Sequence, residues 1–334
     1  MNILYTLNDK FAPQVGAAIT SICENNKDVE TIDFHLITLN FKKESITMMK
    51  KLVKKYNRNI YFYELDNIEK YFSFDFDTLG WNKVIVARLL VDKILPSDIT
   101  KVLYLDGDTI VRGNLEKLYN TDMGSKIIGM SIEPTIDKKR IASLNLDNKP
   151  YCNSGVLLID LEKWRKKKAG EKIINYYREK KGKLFAADQD AINGALKNDI
   201  YVISPRYNYY NIFDQYPYRF FVKIMKPIDY SKYVSASDMK EAKSNPVIVH
   251  YLGEERPWRE WSTHKYKKDY KHYLSLTPWS DTEDEKGWKV YFVCWKIFNV
   301  FTKPFPGLRL YCINKLIPLF MKYRSNKIKK DKEK

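Results

Sequence analysis

The chain has 334 residues, of which 44% are hydrophobic and 14% aromatic, a composition that excludes global disorder and supports a sizeable core. The formal net charge is +17 at pH 7, and most of it lies at one end, because residues 286–334 carry 13 Lys and Arg against 2 Asp and Glu. A basic end of this kind predicts an anionic partner, either nucleic acid or an anionic membrane surface.

Cysteine spacing and hydropathy exclude further classes. The four cysteines lie far apart, without a C-x-x-C pair or a histidine at zinc spacing, so we expect a reduced, intracellular setting. No apolar run in the sequence reaches the roughly 18–20 residues that span a bilayer. Residues 1–5 include neither a basic stretch nor a long apolar core, so they predict a first strand rather than a signal peptide.

The first hundred residues alternate between strand and helix patterns. Strands are predicted at residues 3–7, 32–39, 60–65 and 102–105. Helices are predicted at residues 12–25, 43–56 and 82–94. Pro96 ends the last of these helices. Consecutive β-α units indicate an α/β fold with a mostly parallel central sheet, flanking helices and right-handed crossovers.

The pattern is less regular after residue 105. Further strands are predicted at residues 127–132, 156–161 and 247–251. Further helices are predicted at residues 162–181 and 188–197, the second with Asp188 as its N-cap. The polar, acidic residues 280–285 predict a linker. We therefore divide the chain into a main domain, residues 1–275, and a C-terminal segment, residues 276–334.

The C-terminal segment contains two apolar helical stretches, at residues 288–301 and 308–323, in which Trp and Phe alternate with Lys and Arg. Each is too short to span a bilayer, and the composition is typical of helices that lie in a membrane interface. The basic end would then meet anionic lipid. The alternative is a helical hairpin packed on the sheet with a solvated tail. Continuous apolar faces suit lipid better than phosphate grooves, so nucleic acid is not the expected partner.

The strongest chemical signal is the D-G-D motif that directly follows the predicted strand at residues 102–105. Carboxylates at positions i and i+2 of an extended segment point the same way, so Asp106 and Asp108 can converge on one hard divalent cation. Gly107 lets the backbone approach a ligand closely. Ligands bind at the carboxyl ends of parallel strands, which is where the motif falls. A surface turn that closes a hairpin is the alternative explanation.

A second signal lies at the end of the predicted strand 247–251. His250 can supply an imidazole to the same cation, and a third ligand beside two carboxylates favours Mn²⁺ over Mg²⁺. Gly253 and Arg256 can approach a diphosphate, the glycine through its N–H and the arginine through charge-assisted hydrogen bonds. Alone, His250 fits a structural histidine better, and the D-G-D motif makes it a candidate ligand.

Two polar clusters complete the set. Asp188, Gln189 and Asp190 open a predicted helix, and a helix N-terminus favours anionic groups and sugar hydroxyls nearby. A capped helix with an acidic first turn is the alternative explanation for these residues. The N-S-G sequence at residues 153–155 by itself predicts only a turn.

Taken together and in this order, the motifs resemble glycosyltransferase family 8, the retaining enzymes of GT-A fold that include bacterial lipopolysaccharide and lipooligosaccharide glucosyl- and galactosyltransferases and glycogenin. The resemblance extends from residue 1 to about residue 275. It implies a GT-A fold, a UDP-sugar donor, Mn²⁺ with Mg²⁺ as second choice, and transfer of glucose or galactose to a glycan or glycolipid of the cell envelope. Together with the C-terminal segment, it implies a cytoplasmic enzyme at the inner face of the plasma membrane.

The resemblance also implies roles for individual residues. Asp106, Asp108 and His250 correspond to the family's Mn²⁺ ligands. Asp188 matches the residue that holds donor-sugar hydroxyls, and Gln189 the one beneath the reacting anomeric carbon. The expected nucleotide- and donor-binding residues are Thr6, Asn8, Asp9, Arg88, Asp106, Gly107, Asp108, Asn153, Gly155, Asp188, Gly253 and Arg256.

The sequence departs from the family pattern at two of these positions. Asn8 stands where members often have an acidic residue, and Arg256 where Lys is common. Glu133 stands where members often have Asp near the acceptor. Two routes to retention remain open: attack by the acceptor hydroxyl on the face of the departing phosphate, or a transient covalent bond to Gln189 or Asp190.

Two other functions fit parts of the sequence. Residues 105–109 (L-D-G-D-T) resemble the D-x-D-x-T motif of haloacid-dehalogenase-type phosphatases, with the threonine one position early; in that class Asp106 would be the nucleophile and Asp108 the acid/base. That class normally begins at its motif strand and needs a late acidic pair that the sequence lacks. The second alternative is a non-catalytic nucleotide-sugar-binding scaffold, which the presence of all three candidate metal ligands opposes.

Overall fold

The structure is a computed structural model that describes residues 1–78 and 82–332, with side chains described as far as residue 319. The strands in this part of the chain are β1 (Asn2–Asn8), β2 (Asp33–Leu39), β3 (Asn59–Leu65), β4 (Lys101–Leu105), β5 (Thr109–Val111), β6 (Ile128–Ile132), β7 (Cys152–Asp160), β8 (Ile200–Val202) and β9 (Ile248–His250).

The α-helices of the described residues are α1 (Ala12–Asn25), α2 (Lys43–Lys55), α3 (Val91–Ile94), α4 (Glu116–Tyr119), α5 (Lys138–Ser143), α6 (Leu161–Lys166), α7 (Ala169–Glu179), α8 (Ala187–Ala195), α9 (Ile212–Gln215), α10 (Tyr218–Ile224), α11 (Ala236–Ser244), α12 (Lys267–Ser275), α13 (Lys289–Thr302) and α14 (Pro306–Lys332).

Seven of the described strands form one sheet in the order β3-β2-β1-β4-β7-β6-β8. β7 runs antiparallel to β4 and β6, whereas the other neighbouring pairs are parallel. Antiparallel β5 and β9 form a second, two-stranded sheet. The predicted α/β fold with a mostly parallel central sheet and flanking helices is therefore confirmed.

The central strands are apolar on both faces because helices cover the sheet on each side. Ile3 and Tyr5 of β1 belong to the hydrophobic core that contains the buried faces of α1 and α2. Leu4 belongs to the opposite core, with Tyr104 of β4 and the buried residues of α7 and α8. Successive residues of a strand point to opposite faces, so β1 supplies both cores.

The direction of β7 brings two distant segments to one edge of the sheet. Leu105 at the end of β4 lies opposite Val156, so the residues that follow β4 lie beside the first residues of β7. Asn153 pairs with Ser131 of β6, and residues 153–155 are therefore part of a strand and not the turn that the sequence predicted. Hydrogen bonding across the sheet overrides the local preference of Asn, Ser and Gly for turns.

Two predicted helices differ in form from the expectation. Residues 82–94 comprise a 3₁₀-helix (Lys83–Leu90) followed by α3. The side chain of Asn82 caps the 3₁₀-helix, accepting a hydrogen bond from the Val84 N–H at 2.9 Å. The predicted helix at 162–181 is divided into α6 and α7 by Lys168, whose φ of 52° is left-handed and interrupts regular helix.

The first part of the C-terminal segment is fixed to the main domain. Trp279 packs on α1 so closely that a Cβ added at Gly16 would lie 2.9 Å from the indole ring. Asp284 accepts a hydrogen bond from Lys267 Nζ of α12 at 3.1 Å. Residues 280–285, predicted as a linker, are thus anchored on α12, and α13 and α14 follow them.

Candidate active site

Three side chains from distant parts of the chain form a cluster at the carboxyl end of β4. Asp106 and Asp108 lie in the turn between β4 and β5, and His250 ends β9. Thr109 pairs with His250 in the small sheet, which brings the imidazole to the two carboxylates. One candidate ligand atom from each of the three side chains lies within 4.8 Å of the others. Residues 106–108 form a turn, whereas the sequence predicted an extended segment, but the two carboxylates still converge.

Hydrogen bonding identifies which nitrogen of His250 faces the carboxylates. Asn208 Nδ2 donates to Asn153 Oδ1 at 2.9 Å, so Asn208 Oδ1 is the atom 2.9 Å from His250 Nδ1. This oxygen accepts the Nδ1 proton, so Nε2 is the nitrogen that faces the carboxylates, 3.4 Å from Asp108 Oδ1 and 3.8 Å from Asp106 Oδ2. Two hard oxygens and an oriented imidazole fit a divalent cation such as Mn²⁺.

The charges of the cluster favour the binding of a cation. Burial opposes ionisation of both groups, but the hydrogen bond and the opposite charge that Asp108 and His250 present to each other raise the pKa of His250 and lower the pKa of Asp108. Asp108 and His250 therefore stabilise each other's charged forms. A divalent cation held by these three side chains would compete with the proton for His250 Nε2.

Gly155 and Gly107 leave room for the cluster. A Cβ at Gly155 would lie 2.2 Å from His250 Cε1, well inside van der Waals contact. A Cβ at Gly107 would lie 2.9 Å from the side chain of Val15 on α1. Close packing therefore requires glycine at both positions. At Gly107 the requirement comes from α1, in addition to the close approach to a ligand that the sequence predicted.

Arg88 connects the candidate metal site, formed by Asp106, Asp108 and His250, to α8. Its guanidinium lies 2.9 Å from Asp106 Oδ1 and 3.2 Å from Asp188 Oδ2, and it donates to the Ser154 carbonyl at 2.8 Å. Tyr104 lies beneath the guanidinium and donates its hydroxyl proton to Asp106 Oδ1 at 2.6 Å. Burial raises the pKa of Asp188 to about 6, although Arg88 opposes the shift. Ala186 is the N-cap of α8, so Asp188 lies in the first turn of the helix and the prediction of Asp188 as the N-cap is wrong.

Gln189 is held in one orientation by four hydrogen bonds. Its Oε1 accepts from Ser154 N at 2.9 Å and from Ser154 Oγ at 3.3 Å. Its Nε2 donates to Glu133 Oε2 at 3.0 Å and to the Tyr151 hydroxyl at 2.8 Å. The Tyr151 hydroxyl in turn donates to Asp190 Oδ1 at 2.6 Å. This pattern assigns the oxygen and nitrogen of the Gln189 amide.

Both carboxylate oxygens of Asp190 are bound by other groups of the protein. Asp190 is 1% exposed, pairs with Arg140 at 2.6 Å, and accepts a hydrogen bond from Ala186 N at 3.0 Å through its second oxygen. Its place is therefore beneath the site, where it supports Tyr151 and the first turn of α8.

The N-terminal residues Thr6, Asn8 and Asp9 lie at the carboxyl end of β1, beside β4. Thr6 Oγ1 is 3.1 Å from the Tyr104 hydroxyl. Asn8 Oδ1 is buried without a hydrogen-bond partner among the described residues, an acceptor that requires a donor from a ligand or water. Asp9 Oδ1 instead accepts from Ser45 Oγ at 2.7 Å and so positions the start of α2.

Gly253 and Arg256 form the opposite wall of the cluster. Arg256 Nη2 lies 3.3 Å from Asp108 Oδ2, and the guanidinium lies near the rings of Phe11 and Trp258. Gly253 has a φ of 83°, a left-handed conformation that favours glycine. A cationic side chain thus stands next to the metal cluster, where an anionic ligand would meet both.

Several residues of this site were not recognised from the sequence. They are Tyr104, Arg140, Tyr151, Ser154 and Asn208. A tyrosine two residues before Asp106, on the same face of an otherwise aliphatic strand, was a detectable signal for Tyr104. Asn208 is one of two asparagines in the aromatic stretch at residues 207–211, which is a weaker signal.

This fold and site define a class. A candidate divalent-cation cluster and two arginines lie at the carboxyl edge of a mostly parallel α/β sheet, which is the arrangement of enzymes that bind phosphorylated donors through a metal ion. Residues 2–262 match the family model described as Glycosyl transferase family 8, and the chain belongs to this family. The predictions of the family and of an enzyme of the glycosyltransferase class are confirmed.

Individual relatives agree with this assignment. General stress protein A of Bacillus subtilis is 27% identical over 284 residues, which cover 84% of this chain and 95% of that protein. Lipopolysaccharide 1,2-glucosyltransferase of Escherichia coli K12 is 26% identical over 285 residues, covering 84% and 79%. The crystal structure of galactosyltransferase LgtC with donor and acceptor sugar analogs has a TM-score of 0.70 at 23% identity, covering 87% and 99%. The fold is therefore GT-A.

Proposed function

We propose that this protein is a retaining hexosyltransferase that moves glucose or galactose from a UDP-sugar to a glycan or glycolipid of the cell envelope, with Mn²⁺ bound by Asp106, Asp108 and His250. The convergence of these three side chains is the observation that carries the proposal. Relatives named as a glucosyltransferase and a galactosyltransferase support a hexose, and the lipopolysaccharide glucosyltransferase supports an envelope acceptor.

The metal ligands and the arginines have separate tasks in this proposal. A divalent ion in the cluster supplies positive charge opposite the diphosphate leaving group, and Mg²⁺ is the second choice. Arg256 binds the diphosphate from the other side, and the N–H of Gly253 is available to the same anion. Arg88 remains with Asp106 and Asp188, so it orients carboxylates on both sides of the donor.

The nucleoside and the sugar are assigned to buried polar atoms that lack partners. Asn8 Oδ1 accepts from the uracil, and Thr6 and Asp9 border the same end of β1. Within the described part of the chain, Asp188 Oδ2 has no hydrogen-bond partner beyond its ion pair with Arg88, and it accepts from a donor-sugar hydroxyl. Asn153 donates to Glu133 Oε2 at 2.9 Å and Gly155 lies against His250, so both residues belong to the end of β7 that borders the proposed donor site.

The hydrogen bonds of Gln189 favour one of the two retaining routes. Its amide oxygen is occupied by Ser154, and the neighbouring Asp190 is paired with Arg140. Neither side chain is free to act as a nucleophile in this arrangement. Attack by the acceptor hydroxyl on the face of the departing phosphate, with the phosphate taking the proton, needs no protein nucleophile and is the route we propose.

Of the two alternative functions predicted from the sequence, the phosphatase is excluded and the scaffold is tested by activity. The phosphatase explanation is set aside because the chain belongs to glycosyl transferase family 8. In addition, Asp106 Oδ1 is bound by both Arg88 and Tyr104, which lowers its nucleophilicity. The scaffold explanation requires absence of turnover, so it is separated from the enzyme by an activity measurement.

We expect UDP to be released from one UDP-hexose in a metal-dependent reaction. The measurement compares UDP-glucose, UDP-galactose and their N-acetylated forms, each with Mn²⁺, with Mg²⁺ and with chelator. Turnover of one hexose donor that is fastest with Mn²⁺ supports the proposal and identifies the sugar. Mn²⁺-dependent binding of UDP without turnover of any donor, also in the presence of bacterial glycolipid, would instead favour the scaffold.

We also propose that residues 276–334 form a membrane-association segment, which places the enzyme in the cytoplasm at the inner face of the plasma membrane. Apolar side chains of α13 face outwards, with Val290 and Phe301 about three-quarters exposed, at 75% and 73%. No helix among the described residues is long and apolar enough to cross a membrane. Exposed apolar residues beside an excess of Lys suit an anionic bilayer surface and not nucleic acid.

The basic tail that strengthens this proposal lies largely beyond residue 319, outside the described side chains. We expect Phe301→Asp to weaken co-sedimentation with vesicles containing phosphatidylglycerol by roughly 10-fold, because it puts a charge into the lipid-facing side of α13. Met48→Asp is the matched control, since Met48 is exposed on α2 of the main domain. Equal binding of both variants would argue against α13 as the contact surface.

A further inference from the structure

The loop that carries Gly253 and Arg256 is closed by a buried arginine outside the metal cluster. Arg259 is 8% exposed. Its Nη1 donates to the Glu254 carbonyl at 2.9 Å, and the same group pairs with the Glu254 carboxylate. These contacts tie together the two ends of the turn on which Arg256 stands.

The same guanidinium joins the loop to the beginning of α13. Arg259 Nε lies 3.1 Å from Glu285 Oε2, and the guanidinium carbon lies 3.5 Å from the centroid of a Trp288 ring. Two backbone hydrogen bonds join the same two segments. The Glu260 N–H donates to Glu285 O at 2.9 Å, and the Glu285 N–H donates to Trp258 O at 2.8 Å. The loop and the base of α13 therefore form one hydrogen-bonded unit.

Arg256 projects from this unit toward the metal cluster, with Nη2 3.3 Å from Asp108 Oδ2 and Nε donating to the Gly253 carbonyl at 3.1 Å. We propose that Arg259 is a positioning residue for the donor diphosphate. Clamped between Glu254, Glu285 and Trp288, it fixes the loop from which Arg256 reaches the diphosphate. This inference rests on the proposed UDP-sugar donor.

The geometry of the clamp requires a guanidinium. One side chain makes contacts in two directions through Nη1 and Nε while its flat face stacks on the indole of Trp288. An ammonium group retains the charge but has neither the planar fork nor the stacking face. Arg259→Lys is therefore the informative change, because it keeps the charge balance of Glu254 and Glu285 and alters only the fit.

The experiment compares the affinities of two nucleotides in the presence of Mn²⁺. UDP has the second phosphate that Arg256 binds, and UMP lacks it. For Arg259→Lys and for Trp288→Leu we expect the Kd of UDP to rise about 10-fold, as for the loss of one charge-assisted contact, and the Kd of UMP to stay within about twofold. Arg165→Lys is the control, because Arg165 bridges backbone carbonyls such as that of Ile99, remote from the site.

Each result has a defined meaning. A UDP-to-UMP affinity ratio equal to that of the parent in either Arg259→Lys or Trp288→Leu overturns the inference. An equal loss of affinity for UDP and UMP also overturns the inference, because it indicates a general structural role of Arg259. A parent protein that fails to bind UDP with Mn²⁺ contradicts the proposed function instead, so the two failures are distinguishable.

Discussion

Asp108→Asn is expected to reduce turnover by about 10³-fold or more, because in the proposed function it removes a charged ligand from the site that holds a cation opposite the leaving diphosphate. The substitution is nearly isosteric. Asp108 faces both His250 Nε2 at 3.4 Å and Arg256 Nη2 at 3.3 Å, so a neutral amide also leaves a histidine and an arginine without their shared counter-charge. We therefore expect Mn²⁺ affinity and turnover to fall together.

The measurement combines Mn²⁺ titration calorimetry with UDP release from the preferred donor. Asp98→Asn serves as the control, because Asp98 is an exposed carboxylate in the turn before β4. Thermal unfolding verifies that both variants fold. Turnover of Asp108→Asn within tenfold of the parent at saturating Mn²⁺ would contradict the assignment of the metal ligands.

Gly155→Ala is expected to displace His250 and to lower both metal affinity and turnover by about 10²-fold, with a loss of about 2 kcal/mol in the free energy of unfolding. The added methyl would lie 2.2 Å from His250 Cε1 and 2.6 Å from Nδ1. The ring can escape only by rotating away from the carboxylates, which breaks the bond from Nδ1 to Asn208, or by a shift of β7.

Gly113→Ala provides a matched control for this change. Its Cβ would meet only the methyl groups of Val247, at 3.7 Å, which is an ordinary contact. Chemical denaturation gives the stability of the two variants, and Mn²⁺ titration gives their metal affinity. If Gly155→Ala bound Mn²⁺ as tightly as Gly113→Ala, the position of His250 in the cluster would be wrong.

Much of the metal cluster was predictable because its signals are local. An apolar strand followed at once by a D-G-D motif places two carboxylates at a sheet edge, and His250 at the end of another apolar strand becomes a candidate only beside that motif. The residues that orient these ligands carry no such signal. Asn208 contacts His250 across 42 positions, and its amide has no neighbour in the sequence that indicates a role.

The errors at residues 153–155 and at Asp188 have a common cause. Both are short polar groups that by themselves prefer turns or helix caps. In the folded chain their partners come from elsewhere: β6 pairs with Asn153, and Arg88 binds the carboxylate of Asp188. A single sequence contains the local preference but not the long-range partner, so the tertiary contact decides.

The pairing of β5 with β9 has a consequence for how this enzyme matures. The candidate metal ligands come from the turn before β5 and from the last residue of β9, near opposite ends of a long stretch of chain. Closing such a loop is entropically unfavourable, and the long-range pairing of β5 with β9 is what brings the candidate ligands together. A cation that recognises all three binds the finished state alone and shifts the equilibrium toward it by mass action. In the proposed function, metal binding is thus coupled to the completion of the β5–β9 pairing.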